Sequence, residues 1–163
     1  MHRNSGFDCL TNQHQEMLDQ VLDLFALDAD YNLRVMTDKQ TPTEVATRVL
    51  ERLPDVLTAT HPAPMLVQGD TTTTFAAALA AFYARIPGGH VEAGLRTWRK
   101  DAPFPEEINR TMTTALTEWH FAPTEWAREN LLREGVASAW HPPRTVISGS
   151  SASRSAQRSS SSA

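Results

Sequence analysis

Between Met65 and Arg110 the chain reads MLVQGDTTTTFAAALAAFYARIPGGHVEAGLRTWRKDAPFPEEINR. The apolar run Met65-Leu66-Val67 leads into a Gly69-Asp70-Thr71-Thr72-Thr73-Thr74 turn. An alanine-rich segment from Phe75 to Arg85 follows, and a second strand-like piece closes at His90-Val91-Glu92. Strand, helix and strand joined by short connections form the βαβ unit of a parallel sheet. Such sheets bind ligands beyond the carboxyl ends of their strands, where loops and helix N-termini meet. Asp70 and Glu92 both fall at those ends. The pattern therefore predicts two carboxylates aimed at one crevice, beside a helix start suited to an anion such as a phosphate.

The flanking segments extend the same alternation. Phe7 to Thr11 reads as the end of a strand. From Gln15 a helix is expected, with Met17, Leu18, Val21, Leu22 and Phe25 on one apolar face. Asp30 to Met36 is connection or short strand. Thr41-Pro42-Thr43-Glu44 is a helix start with a capping box, and Val45, Val49, Leu50 and Leu53 form its buried stripe. Pro54 is expected to bend or split that helix before Leu57, at a cost of ~3 kcal/mol. Pro105 opens another helix with Glu106 and Glu107 in its first turn and Met112, Leu116 and Trp119 inside. His120-Phe121-Ala122 suits a buried strand. Thr124 caps a helix with Trp126, Leu131 and Leu132 inside, which stops at Gly135. Val146-Ile147 suits a last strand. From Ser148 to Ala163 nine of sixteen residues are serine and no large apolar residue occurs, which predicts a disordered tail behind a domain spanning 1–147.

Composition removes several function classes. A chain of 163 residues, 40% apolar and 21% charged, supports one domain with a real core. Its net charge of -4, without clustered Lys and Arg, argues against nucleic-acid binding. The single cysteine, Cys9, rules out an internal disulfide framework and fits a reducing cytoplasm. No stretch reaches the ~20 apolar residues of a membrane helix.

Each candidate site residue has a plain alternative. Asp70 and the threonines Thr71 and Thr72 either cradle an anion or only cap a helix; the Walker lysine is missing, so this is no nucleotide-hydrolysing loop. Glu92, between glycines, either meets a ligand or pairs with Arg96. Glu106 satisfies a helix N-terminus in any case. Arg110 and Asn109 line the crevice or pair with Glu106. His90 reads as an inner histidine, and Gln13-His14 as loop residues near the carboxyl edge. No spacing resembles a zinc site. Several carboxylates in one cleft suit proton abstraction next to an activated carbon, one ionised as base and another protonated as acid.

These residues carry a family resemblance. VQGDTTTTFAAALAAFYARIP, GGHVEAGLRT, PFPEEINR and HFAPTEWARENLLREGV, with the upstream TNQHQEMLDQVLDLF, DYNLRVM and KQT, resemble the bacterial non-hydrolysing UDP-N-acetylglucosamine 2-epimerases from about Thr11 to Val136. The resemblance implies interconversion of UDP-N-acetylglucosamine and UDP-N-acetylmannosamine by proton removal at carbon 2, loss of UDP to a glycal, and re-addition. It makes Asp70, Glu92 and Glu106 acid–base candidates and puts Thr71, Thr72, His90, Arg96 and Arg110 at the substrate. It assigns Gln13, His14 and Gln40 to a second, activating sugar-nucleotide site. The implied fold is an α/β, Rossmann-like parallel sheet with flanking helices, one half of a two-domain glycosyltransferase-B-like architecture. A homodimer is implied, with no metal or redox cofactor.

The sequence also departs from the family. The family's opening strand and Gly-Thr-Arg-Pro-Glu loop are not matched, nor is the UDP-gripping second domain. A truncated or frameshifted product of little activity is therefore expected, with a non-catalytic remnant or half of a related UDP-sugar glycosyltransferase as alternatives. Asn12, Lys39, Pro64 and Gly88 replace the family's usual residues. Gly88 in a buried strand is expected to weaken it by roughly 0.5–1 kcal/mol.

Overall fold

The computed structural model describes residues 6–11, 24, 29–37 and 39–136, and the backbone of 145–148. The expected first helix, Gln13, His14 and the serine-rich segment beyond Ser148 lie outside the described residues.

Among the described residues there are two parallel sheets. β1 (Cys9–Leu10) pairs with β2 (Tyr31–Asn32), while β3 (Met65–Gln68), β4 (Gly88–Val91), β5 (Trp119–Ala122) and β6 (Thr145–Ser148) form a four-stranded sheet in that order. Every pairing is parallel, and each connection from β3 to β5 carries a helix, the α/β arrangement that the apolar runs and helix starts predict. β6 runs to Ser148, one residue into the stretch expected to be tail.

The helix start at Thr41 is built as its sequence dictates. Thr41 Oγ1 accepts from the Glu44 N–H at 3.3 Å and Glu44 Oε2 accepts from the Thr41 N–H at 2.7 Å, a complete capping box for α1 (Pro42–Thr60). α1 runs unbroken through Pro54, contrary to the expected split. Val45, Val49, Leu53 and Leu57 are all buried along one face, and the guanidinium groups of Arg48 and Arg52 hold the carbonyls of Val35, Leu33 and Arg34. Four buried aliphatic side chains at about 1.5–3 kcal/mol each outweigh the one backbone bond that proline removes.

The alanines of α2 (Thr72–Tyr83) set the tightness of the core. Ala76 and Ala80 pack with Leu33, Val35, Val49, Leu53 and Leu57, so small side chains let α2 approach α1 closely. A second cluster of Ala93, Ala122, Ala127, Leu131 and Val136 seats α4 (Glu125–Arg133) on the other side. Thr124 caps α4 as expected, but Trp126 is exposed and only Leu131 of the expected inner residues is fully buried.

Gly88 and Gly89 are structurally required. A Cβ on Gly88 would meet Thr117 Cγ2 at 2.9 Å, and one on Gly89 would meet Leu66 Cδ2 at 2.5 Å. The entropic cost of glycine in a strand is offset by neighbouring side chains occupying the missing Cβ volume.

α3 (Glu106–Leu116) corrects the sequence expectation most. Met112 is exposed and Leu116 only half-buried. The buried residues of the helix are Glu107, Asn109, Arg110, Thr113 and Thr114. Its inner face is polar, so apolar periodicity pointed at the wrong side.

Candidate active site

The register of β3 and β4 creates the site. Gln68 is the partner of Val91, so the next residues of both strands leave the sheet side by side at its carboxyl edge. The Gly69 N–H donates to Val91 O at 3.1 Å, and Glu92 Oε2 lies 3.8 Å from where a Gly69 Cβ would stand. Both positions have left-handed backbone, with φ of 80° at Gly69 and 69° at Glu92. Such a conformation is cheap for glycine and costs a glutamate about 1 kcal/mol, a strain found at functional turns. The Glu92 side chain is exposed.

His90 fixes the turn from below. It is fully buried, and its Nε2 lies 2.8 Å from Gly69 O. Burial is the main influence that lowers its pKa, with the Arg96 and Arg110 charges adding to it. A neutral ring then donates Nε2–H to Gly69 O, and Nδ1 has no hydrogen-bond partner. His90 thus supports the Asp70 turn from the interior.

Asp70 is held from α3. Arg110 Nη1 meets Asp70 Oδ2 at 2.5 Å, and Asn109 Nδ2 donates to Asp70 O at 3.0 Å and to Thr72 Oγ1 at 3.4 Å. Arg110 Nη2 donates to Glu107 Oε2 at 2.9 Å. The pairing with Glu106 that the sequence offered as an alternative is made with its neighbour Glu107. Burial pushes the Glu107 carboxyl up, but the Arg110 guanidinium and the N–H groups of Thr97 and Trp98 outweigh burial and leave its pKa below the ordinary value.

The threonine turn divides its labour. Thr71 Oγ1 accepts from the Thr74 N–H, capping α2, and Thr74 Oγ1 donates to Gln68 O at 2.6 Å. Capping therefore occupies Thr71 and Thr74. Thr71, Thr72 and Thr73 also line a cavity of about 160 Å³ with Gln40, Pro105 and Glu106. Thr73 Oγ1, buried, has no hydrogen-bond partner. Gln40 lines this cavity too, with its amide donating to Val35 O and accepting from the Thr37 N–H.

Arg96 departs furthest from expectation. It is 3% exposed and pairs with Glu134 through Nε and Nη2, both at 2.7 Å; Nη1 donates to Leu95 O and Nη2 also to Thr114 Oγ1. It ties the segment after β4 to α3 and to the end of α4. Its ion pair is thus with Glu134 and not with Glu92, the alternative partner that the sequence offered.

The geometry therefore places the Gly69–Asp70 turn and Glu92 at the carboxyl ends of neighbouring strands and Glu106 on the cavity at the α2 N-terminus. Asn109 joins them as one of the two sequence alternatives foresaw, whereas Glu107 and Thr73 join them unanticipated as site residues. The Glu107–Arg110 spacing of three residues at a helix start is the signal that could have revealed the first. Among the described residues no group of three or more His, Cys, Asp or Glu side chains could hold a metal ion, and no helix is long and apolar enough to cross a membrane.

Comparison with known proteins places the fold among solved structures. The chain is 55% identical over 130 residues to the UDP-N-acetylglucosamine 2-epimerase of Neisseria meningitidis, covering 80% of this chain and 35% of that protein. It is 56% identical over 131 residues to the Escherichia coli K12 enzyme of the same name, with the same coverage. The chain thus spans about a third of the length of the curated relatives it matches. The crystal structure of the Neisseria meningitidis epimerase bound to UDP-GlcNAc superposes with a TM-score of 0.78 at 53% identity, over 86% of this chain and 37% of that one. The Methanocaldococcus jannaschii epimerase in complex with UDP-GlcNAc and UDP gives 0.74 at 37% identity, over 85% and 36%. Residues 4–152 match the sequence profile described as UDP-N-acetylglucosamine 2-epimerase, and the chain belongs to that family.

Proposed function

We propose that this chain supplies the proton-transfer half of an enzyme that interconverts UDP-N-acetylglucosamine and UDP-N-acetylmannosamine. The observation that carries the proposal is the emergence of the Gly69–Asp70 turn and Glu92 from the ends of adjacent parallel strands, with Glu106 on the cavity that Thr71, Thr72 and Thr73 line. One carboxylate removes the proton at carbon 2 of the sugar. The electron pair forms the C1–C2 double bond while the C1–O bond breaks and UDP departs. Return of UDP to C1, with a proton delivered to the other face of C2 by a second carboxylic acid, completes the inversion. Two carboxyl groups in unlike environments suit this division. Asp70 faces a guanidinium, whereas Glu92 is exposed on a strained turn. Thr72 and Thr73 are proposed to contact the substrate, and Arg110 to act on it through Asp70. The complete enzyme is proposed to be a homodimer, as the family resemblance implies, and to work in the reducing cytoplasm that the single cysteine fits.

The test exchanges residues 9–136 into the Neisseria meningitidis relative in place of its own segment. Deuterium incorporation at carbon 2 of UDP-N-acetylglucosamine in D2O is then followed by NMR. The chimera is expected to exchange and epimerise, and Asp70→Asn or Glu92→Gln within it to lose roughly 100-fold or more of that rate. A folded chimera that binds the sugar nucleotide without exchange, or whose exchange survives both substitutions, overturns the proposal.

A further inference from the structure

Glu106 and Glu107 are neighbours in the first turn of α3, yet they serve opposite sides of it. Glu106 lines the cavity, whereas Glu107 is 3% exposed. Attraction to the helix dipole, about 0.3–1 kcal/mol, does not balance burying a carboxylate, which costs several kcal/mol. Glu107 is held by specific donors instead. Its Oε1 accepts from the backbone N–H groups of Thr97 at 3.0 Å and Trp98 at 2.9 Å, and its Oε2 accepts from Arg110 Nη2 at 2.9 Å. Glu107 draws Nη2 to its own side, Arg110 reaches Asp70 through Nη1 onto Oδ2, and its buried Nε has no hydrogen-bond partner. A free guanidinium facing a carboxylate would close on both oxygens as a parallel fork.

Resting on the function proposed above, we infer that Glu107 is a positioning residue that restrains Arg110 to a one-pronged contact with Asp70 and so leaves Asp70 Oδ1 open toward the sugar. The same carboxylate anchors the Thr97–Trp98 segment, whose Trp98 has left-handed backbone with φ of 62°. The turn carrying Asp70 and the segment that follows Glu92 are thereby fastened to one side chain. The charged and titratable groups around the Asp70 turn are Arg110, Glu107 and Glu106 on α3 and His90 and Glu92 at the end of β4. Only Arg110 makes an ion pair with Asp70 among the described residues.

The test is a carbon-detected NMR titration of the Asp70 carboxyl in the full 163-residue chain, which needs no turnover. Glu107→Gln keeps an acceptor for the Thr97 and Trp98 N–H groups but turns its amide N–H toward Arg110, releasing the guanidinium. The Asp70 midpoint is expected to fall by roughly half a pH unit or more as the fork closes. In an Arg110→Lys background, where no fork can form, the same substitution should move it by less than half as much. Glu107→Asp, one methylene shorter, should give a smaller shift in the same direction and serves if the glutamine variant does not fold. An unchanged or raised Asp70 midpoint, or an equal shift in both backgrounds, overturns the inference. In the chimera, Glu107→Gln should lower kcat roughly tenfold and move the acid limb of its pH profile down while KM stays within about twofold. Loss of exchange on Asp70→Asn tests the function, whereas the titration tests Glu107 separately.

Discussion

Arg110 and Asp70 stand 40 positions apart in the chain and meet at 2.5 Å, with the arginine side chain 8% and the aspartate side chain 35% exposed. The guanidinium serves a half-open carboxylate on one side and the buried Glu107 on the other.

Removing that shared cation strands a buried anion. Arg110→Met is expected to destabilise the chain by about 3 kcal/mol, chiefly through Glu107. The double variant Arg110→Met, Glu107→Leu should recover a large part of the loss. Urea denaturation followed by circular dichroism measures both; a double variant no better than the single would show that Glu107 is not what Arg110 stabilises.

Acid should weaken the fold in two steps. His90 has a folded-state pKa below its ordinary 6.5, because burial disfavours the charged ring. The unfolded chain therefore binds that proton first, and stability declines as pH drops below about 6.5. Glu107, also lowered, contributes stability that is present above its ordinary 4.5 and is lost as pH falls through the depressed folded value. In His90→Gln, whose amide can still donate to Gly69 O, the upper step should vanish while the lower one persists. Urea midpoints between pH 7 and 3 decide this.

Arg96 is buried and fastened to Glu134. Arg96→Met should cost about 3 kcal/mol by unpairing Glu134 and emptying a buried site. Sugar-nucleotide affinity, measured by calorimetry where the variant remains folded, should stay within about twofold. A selective loss of binding with unchanged stability would restore Arg96 to the site.

Gly94 is the tightest backbone approach beside the site. Its φ is 89°, and a Cβ there would collide with the carbonyl oxygen of Ala127 in α4. Asn130 Nδ2 donates to its carbonyl at 3.0 Å. Gly94→Ala combines left-handed strain with a clash against a helix backbone and should cost about 2–4 kcal/mol. Thermal unfolding checks it, with Gly135→Ala as the control: that residue shares a positive φ of 81° but has no neighbour within 4 Å of the added Cβ.

The helix starts at Thr41, Thr71 and Thr124 were readable because a cap is a contact between residues three apart. The carboxyl ends of β3 and β4 were readable for a similar reason: a short apolar run followed by a glycine and an acid ends where its pattern ends. The inner face of α3 was not. Periodicity assigns large apolar side chains to the interior, and here the helix turns Met112 outward because its buried face closes a network of charges and threonines.

The chain's own residues dictated an alternating α/β order and the placing of Asp70 and Glu92 at strand ends, since caps, turns and apolar runs act over a few positions. Only the assembled sheet and helices decided that Glu107 points inward while Glu106 lines the cavity, that Arg110 reaches Asp70, and that Arg96 turns 38 positions away to Glu134. Long charged side chains carry no periodic signal, and their partners are set by strand register and helix rotation, which exist only once the elements have packed.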